Sequence, residues 1–275
     1  MNFQSSKNKI KEIDALYVIY HSYDETIQSI KSFYKVFEDT QLRINIIVVD
    51  NSFKEASKYK IRKFKVFCSN NSFRDFNINY ISSKKNIGYG AAITKALISS
   101  NSSIVLLVNC DTNLSKLKIN SFINLLDQID EKVVIAGPKI LDKDGLRHES
   151  FFSFDPIQIF LKPLRHVNKI TKSLLFLKKI TFLNLYLKKL TYQDFLPQKP
   201  YLVDWISGCF MIISRKFLDE CGGFDERYFL YFEDVDICRT ARKFSKLVLF
   251  DPRLEIMHEG KYESSKTKGL IKTIF

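Results

Sequence analysis

The sequence predicts an α/β fold with a mostly parallel, Rossmann-like central sheet and helices on both faces. Two observations carry that prediction. Short β-rich apolar runs alternate with helical patterns over the first 140 residues. The runs Ile46-Ile47-Val48-Val49 and Ile104-Val105-Leu106-Leu107-Val108 are apolar on both faces, which requires cover on each side of the sheet.

Taken in order, Leu16–Tyr20 reads as a strand, Asp24–Glu38 as a helix, Ile44–Asp50 as a strand and Asn79–Ser82 as a short strand. A helix follows from about Gly90 to Ser99, then the strand Ile104–Asn109, the helix Leu117–Gln128 and the strand Val133–Ile140. Beyond Pro138 the alternation stops. Asp142-Lys143-Asp144-Gly145 is a turn and Arg147–Phe154 an edge strand. Asp204–Ser214 returns as a strand and Lys216–Cys221 as a short helix closed by Gly222-Gly223. Glu233–Lys243 is helical, and Lys246–Phe250 and Leu254–Met257 are late strands. No internal repeat or low-complexity linker divides the chain, so 1–275 reads as one domain carrying an insertion at about 155–200.

A hydrophobic content of 45% in 275 residues is enough for a sizeable core. Cys68, Cys110, Cys209, Cys221 and Cys238 are odd in number and scattered, without zinc or disulfide spacing. That usage fits a reducing cytosol. The basic start is followed by no apolar segment, and no run reaches about 18 apolar residues, so neither a signal peptide nor a membrane span is expected.

The formal charge of +13 asks for a polyanionic partner. Nine basic residues between Lys162 and Lys199 face the single acid Asp194 and are interleaved with Ile170, Leu174, Leu177, Ile180 and Leu190. This is the pattern of basic amphipathic helices, suited to an anionic membrane surface or, equally, to packing of the apolar side on the main domain. Nucleic acid is disfavoured, because the cations sit in an apolar insertion and are not interleaved with exposed stacking aromatics.

The stretch Gly222–Asp236 packs five carboxylates among five aromatic rings. Aromatic walls and neighbouring acids both push a carboxyl pKa upward, the condition a general base needs. The same residues also suit a turn and a helix N-terminus, where acids favour the macrodipole. Elsewhere, Tyr20-His21-Ser22, Asp50-Asn51-Ser52 and Asn109-Cys110-Asp111 each follow a strand, where open α/β sheets bind ligands. Asn86-Ile87-Gly88-Tyr89-Gly90 fails as a dinucleotide fingerprint, since Ile93 holds the third glycine position, and no P-loop string occurs. Its glycines instead let the backbone approach a ligand and start a helix beside it.

In this order Val48-Val49-Asp50-Asn51-Ser52, Asn86-Ile87-Gly88-Tyr89-Gly90, Asn109-Cys110-Asp111, Trp205-Ile206-Ser207-Gly208-Cys209, Gly223-Phe224-Asp225-Glu226 and Glu233-Asp234-Val235-Asp236 resemble the motifs of family 2 glycosyltransferases of the GT-A fold, in the rhamnosyltransferase-like branch. The resemblance covers nearly the whole chain. It implies that Asp50 hydrogen-bonds the imide N–H of a uracil or thymine base and that Tyr20, Asn86, Gly88 and Asn109 belong to the donor site. Asp111 would hold Mg2+ or Mn2+ against the donor diphosphate, with His258 completing the coordination. Asp234 would be the catalytic base of an inverting transfer. Trp205, Ser207, Gly208 and Glu233 would shape the acceptor site. Two departures stand out: Asn109 replaces the first acid of the metal motif, and His21 stands where the family usually has Asn.

The implied enzyme moves a sugar, rhamnose from dTDP-rhamnose first and galactofuranose from UDP next, to a lipid-linked oligosaccharide. It would work in the cytoplasm, at the inner face of the membrane, for surface polysaccharide synthesis. A non-catalytic nucleotide-sugar binder of the same fold would need no acid at position 234, and the Glu233-Asp234 pair speaks against it.

Overall fold

The computed structural model describes residues 10–52, 57–70, 76–145, 150–152 and 198–259. The basic insertion lies outside the described residues apart from its last few positions. The described strands are β1 (Glu12–Ile19), β2 (Arg43–Asp50), β3 (Phe76–Ser82), β4 (Ile104–Val108), β5 (Thr112–Asn113), β6 (Val133–Leu141), β7 (Phe151–Phe152), β8 (Tyr201–Val203), β9 (Trp205–Ile206), β10 (Phe210–Ser214) and β11 (Leu247–His258). The helices, numbered in chain order, are α1 (Tyr23–Phe37), α2 (Lys58–Asn70), α3 (Tyr89–Leu97), α4 (Ile119–Leu126), α5 (Arg215–Cys221) and α6 (Glu233–Lys243).

The main sheet runs β3-β2-β1-β4-β10-β6-β11-β5, with β8 alongside β11. Strands β1 to β4 are mutually parallel, as are β6 and β11. Alternation along the strands builds two cores. In β1, Ile13, Ala15, Tyr17 and Ile19 face Phe33 and Phe37 of α1, Phe64 of α2 and Phe122 of α4. Leu16 of β1 and Ile47 and Val49 of β2 face the other way, into the core of α3, α5 and α6. The doubly covered sheet read from the apolar runs is therefore present, and each large side chain fully buried in it contributes roughly 1.5–3 kcal/mol.

Strand β10 enters antiparallel between β4 and β6, so the sheet is more mixed than the sequence pattern indicated. Met211, Ile212 and Ile213 are buried on both faces, and an all-apolar strand carries no mark of its direction. The span expected as one strand, Asp204–Ser214, is instead β9 and β10 separated by a turn at Ser207-Gly208-Cys209. Conversely, the two late strands are one. Pro252 lacks an N–H, and β11 absorbs it with a register shift between Asp251 and Glu255. Helix α2 was not expected, because its five cations hide a narrow apolar stripe of which only Phe64 and Cys68 are buried. At α5 the expected stop is present: Gly222, at φ 83°, caps it and Gly223 N donates to Leu218 O at 2.8 Å.

Candidate active site

The three polar groups that follow β1, β2 and β4 come together because those strands are adjacent and parallel in the order β2-β1-β4. From Asp50 a chain of contacts leads across the carboxyl edge of the sheet to Asp234.

Asp50, the last residue of β2, is only 3% exposed. Its Oδ2 accepts from Tyr23 Oη at 2.7 Å and Tyr80 Oη at 2.5 Å, and its Oδ1 accepts from Ser52 N at 2.9 Å. Burial, together with the Asp50 carboxylate, pushes both phenols well above the usual tyrosine range, so they stay protonated donors. A carboxylate oxygen accepts two donors, so Oδ1 keeps one place for an N–H from outside. Next to it, buried Asn51 donates its Nδ2 to Gly88 O at 2.9 Å, while its Oδ1 has no partner.

Gly88 sits at φ 86°, and a Cβ there would lie 2.8 Å from Phe229 O. Only glycine fits this position. Its N–H donates to Asn86 Oδ1 at 3.0 Å, and Tyr89 N, opening α3, donates to Phe229 O at 2.7 Å. The Tyr89 hydroxyl then reaches across to Asn109 Oδ1 at 3.0 Å.

Pairing of β5 with the end of β11 sets His258 opposite Thr112 and so beside Asp111. His258 Nε2 lies 3.0 Å from Asp111 Oδ1 and 3.3 Å from Asn109 Nδ2. Both side chains are shielded, at 8% and 15% exposed. Two donors on neighbouring corners of an octahedral Mg2+ or Mn2+ site are about 3 Å apart, given bonds of about 2.1 Å. Where Nε2 accepts from Asn109, its lone pair and the Asp111 carboxylate face each other as two acceptors, an arrangement that a cation satisfies. Cys110 takes no part: its Sγ donates to Val18 O at 3.0 Å, and burial pushes the thiol up to about 11. Among the described residues no cluster of three or more His, Cys, Asp or Glu side chains could hold a metal, so this pair would need oxygens from a ligand or water to complete a coordination shell.

The turn before β10 joins this group to Asp234. Asn109 N donates to Cys209 O at 2.9 Å, and one residue earlier Gly208 N donates to Asp234 Oδ2 at 2.8 Å. Val235 N donates to Oδ1 at 2.8 Å. A Cβ at Gly208 would lie 2.9 Å from Asp234 Cβ, so the missing side chain is what allows the acid to dock on the turn. Burial raises the Asp234 pKa, and these backbone donors, together with its own N–H, offset this only in part.

Of the two causes the sequence indicated, burial is the one present: no neighbouring acid contributes to the shift, and Asp225 is drawn down to about 2 by Arg227. Phe229 and Phe232, at 46% and 66% exposed, turn largely outward.

Of the remaining sequence-derived residues, Tyr20 is 46% exposed with its ring edge-on to His21 at 4.5 Å. Trp205 packs half-buried against the α3–α6 core, and its strand β9 pairs with β7. Ser207 N donates to Ser150 O at 3.2 Å. Glu233 is buried at 7% exposed, so it is set back from any acceptor surface. Sequence reasoning missed Tyr23, Tyr80, Tyr89 and the carbonyls of Phe229 and Cys209. Tyr89 stood inside a recognised motif but was read as a spacer between glycines, and backbone carbonyls leave no trace in side-chain patterns.

The chain is similar to several known proteins. A segment of the chain is 36% identical over 64 residues to an N-acetylglucosaminyl-diphospho-decaprenol L-rhamnosyltransferase of Mycobacterium tuberculosis, covering 23% of this chain and 21% of the relative. It is 29% identical over 63 residues to the rhamnosyltransferase WbbL of Escherichia coli, covering 23% and 24% respectively. Among solved structures, GalNAc-T7 with UDP, GalNAc and Mn2+ aligns with a TM-score of 0.61 at 14% identity, over 92% of this chain and 44% of that one. The mannosyltransferase PcManGT of Pyrobaculum calidifontis, in complex with GDP-Man and Mn2+, gives 0.57 at 12% identity, over 97% and 61%. These likenesses establish the GT-A fold. The model of the family described as glycosyl transferase family 2 matches residues 17–222, three-quarters of the sequence, and the chain belongs to that family.

Proposed function

We propose that the chain is an inverting, metal-dependent glycosyltransferase that moves a sugar from a nucleotide diphosphate to a lipid-linked glycan at the inner face of the cytoplasmic membrane. Rhamnose from dTDP-rhamnose is the first candidate donor, supported by the names of the partial relatives. The observation that carries the reading is the three-residue turn Ser207-Gly208-Cys209, which ties Asn109 and Asp234 to one short piece of backbone.

In this mechanism Asp50, whose Oδ2 is occupied by its two tyrosines, takes the imide N–H of uracil or thymine on Oδ1. Asp111 and His258 would hold a divalent cation, which when bound would offset the charge on the departing diphosphate. Asp234 takes the proton of the acceptor hydroxyl as its oxygen bonds to the anomeric carbon. The bond from that carbon to the diphosphate oxygen breaks on the opposite face, and its electron pair leaves with the nucleotide. A base with a pKa above the ordinary carboxylate range accepts that proton more readily.

The test is incubation of the purified protein with a panel of nucleotide sugars, with and without lipid-linked acceptors, with Mg2+ or Mn2+ and then with EDTA. We expect the fastest turnover with dTDP-rhamnose, an inverted anomeric centre by NMR, and loss of transfer in chelator. A retained configuration overturns the single displacement, and full activity in EDTA overturns the metal. Turnover of none of the donors overturns the enzyme reading.

A further inference from the structure

The hydrogen bonds to Asp50 are shared unevenly between its two oxygens. Among the described residues Oδ2 takes both phenols, from Tyr23 at 2.7 Å and Tyr80 at 2.5 Å, while Oδ1 takes only Ser52 N at 2.9 Å. A carboxylate oxygen accepts two hydrogen bonds, so Oδ2 is full and Oδ1 is not.

Three elements bring the phenols to one oxygen. Tyr80 stands opposite Val48 in the parallel ladder of β2 and β3, so it shares a sheet face with Asp50, two residues further along β2. Tyr23 comes from the first turn of α1. Buried Phe64 of α2 lies against both tyrosine rings, with centroids at 5.8 and 5.9 Å. Lys65 Nζ sits 5.2 Å from the centre of the Tyr80 ring and adds a cation–π contact. Tyr23 is only 1% exposed, whereas Tyr80 is partly open to solvent. Of the two hydroxyls, that of Tyr80 is therefore the one a ligand can come beside.

We propose that Tyr80 selects the base of the nucleotide: by occupying Oδ2 it limits Asp50 to a base with a single N–H, uracil or thymine, and turns away guanine. The inference deepens, and rests on, the reading that Asp50 binds the base. Guanine presents its N1–H and an N–H of its 2-amino group side by side, a pair that a carboxylate with both oxygens open takes in bidentate fashion. Here one of the two would press against a filled oxygen with nothing to accept it, and an unmet N–H in a buried site is costly. Uracil and thymine present one imide N–H between two carbonyls, and the open place on Oδ1 satisfies it. Cytosine has no ring N–H on that edge, so its N3 lone pair would face the carboxylate. A carboxylate by itself accepts guanine as readily as uracil, and the phenol makes the difference.

The experiment is calorimetric titration of the full chain, in one Mn2+ buffer, with UDP, dTDP, GDP and CDP. These share their diphosphate, so their differences report mainly the base. The parent should bind the tighter of UDP and dTDP at least about tenfold better than GDP or CDP. Tyr80→Phe keeps the ring and frees one place on Oδ2, so UDP and dTDP should weaken about three- to tenfold while GDP tightens about threefold or more. CDP should not gain, because removal of a phenol supplies no partner for its N3. Tyr23→Phe, whose freed place is enclosed, should leave the ratio of GDP to UDP within about twofold of the parent. Should Tyr23→Phe not fold, CDP still separates a freed acceptor from a widened pocket.

Parallel weakening of GDP and UDP in Tyr80→Phe overturns the proposal, since a phenol that only steadies Asp50 would affect every nucleotide alike. An equal gain by CDP, a ratio changed by Tyr23→Phe and not by Tyr80→Phe, or a parent that binds GDP as tightly as UDP and dTDP also overturns it. Asp50→Asn tests the reading beneath. Loss of the preference for UDP and dTDP supports it, and a preference that survives shows that the base lies elsewhere. Turnover of nucleotide sugars is read in parallel: a parent that turns them over without preferring a base loses only the selection by Tyr80.

Discussion

Asp14 and Asp234 are two carboxylates withdrawn from water near opposite ends of the sheet, and the fold treats them in opposite ways. Asp14, near the start of β1, receives four hydrogen bonds: from Asn101 N at 2.8 Å, Ser102 N at 2.9 Å, Ser102 Oγ at 2.7 Å and Asn45 Nδ2 at 2.7 Å. Burial alone would raise its pKa, but these donors outweigh burial and hold it below the ordinary value. Asp234 receives only backbone donors, from Gly208, Val235 and its own N–H, and burial wins. A full set of donors makes a buried acid a structural clamp. An incomplete set leaves it with affinity for a proton, which is the property a base needs.

The sharpest way to break the comparison is at Asp234 itself. Asp234→Asn should lower turnover by about 10²- to 10⁴-fold and leave donor affinity unchanged, measured by steady-state kinetics beside calorimetric titration of the nucleotide. Turnover within twofold of the parent would remove the base from this position. Asp14→Ala should show the reverse pattern, losing about 3 kcal/mol of stability through donors left unsatisfied, with kcat intact in the molecules that remain folded. Urea unfolding followed by activity per folded molecule separates the two effects.

A smaller effect tests the geometry around the base. Gly208→Ala forces a carbon to within 2.9 Å of Asp234 Cβ, so kcat should fall about tenfold, equivalent to 1.4 kcal/mol, with KM for the donor little changed. An unaltered kcat would show that the turn does not position the acid. Smaller again, Tyr80→Phe removes one of the two phenols on Asp50 and should raise donor KM by about three- to tenfold at constant kcat. A fall in kcat instead would place Tyr80 nearer the reacting atoms than its contact with Asp50 indicates.

Titration sharpens the contrast without mutation. The folded pKa of Asp14 is depressed, so its stabilising contribution is present above the unfolded value of 3.8 and is lost as pH falls. For Asp234 the folded pKa is raised, so its contribution is present below 3.8 and is lost as pH rises through the folded pKa. Activity needs the ionised base. The acid limb of kcat should therefore lie above the ordinary carboxylate range, and Asp14→Asn should shift the acid-unfolding midpoint but not that limb.

Much of this was legible in the sequence, for reasons that particular residues make plain. The runs at 46–49 and 104–108 announced a doubly covered sheet because parallel strands are buried on both faces. Glu233–Lys243 was found with its exact bounds because its acids stand at the first turn and its cations at the last. The direction of β10 was hidden, since Phe210–Ile213 are buried throughout and fit either orientation. Tyr23 and Tyr80 were missed because they meet on Asp50 from 27 and 30 residues away, a separation that no local pattern reports. The raised pKa of Asp234 was legible as burial, whereas local composition shows which rings and acids are nearby in the chain and not which of them turn outward or pair elsewhere.

The turn Ser207-Gly208-Cys209 has a wider consequence. It touches the strand end that carries Asn109 and the helix start that carries Asp234 through an N–H, a carbonyl and a missing side chain. In the proposed mechanism, the distance between the two halves of the reaction is thus set by main-chain atoms. Neighbouring surfaces are free to drift toward new acceptors while the alignment of attack and departure stays fixed. A scaffold wired in this way can change what it decorates without relearning how.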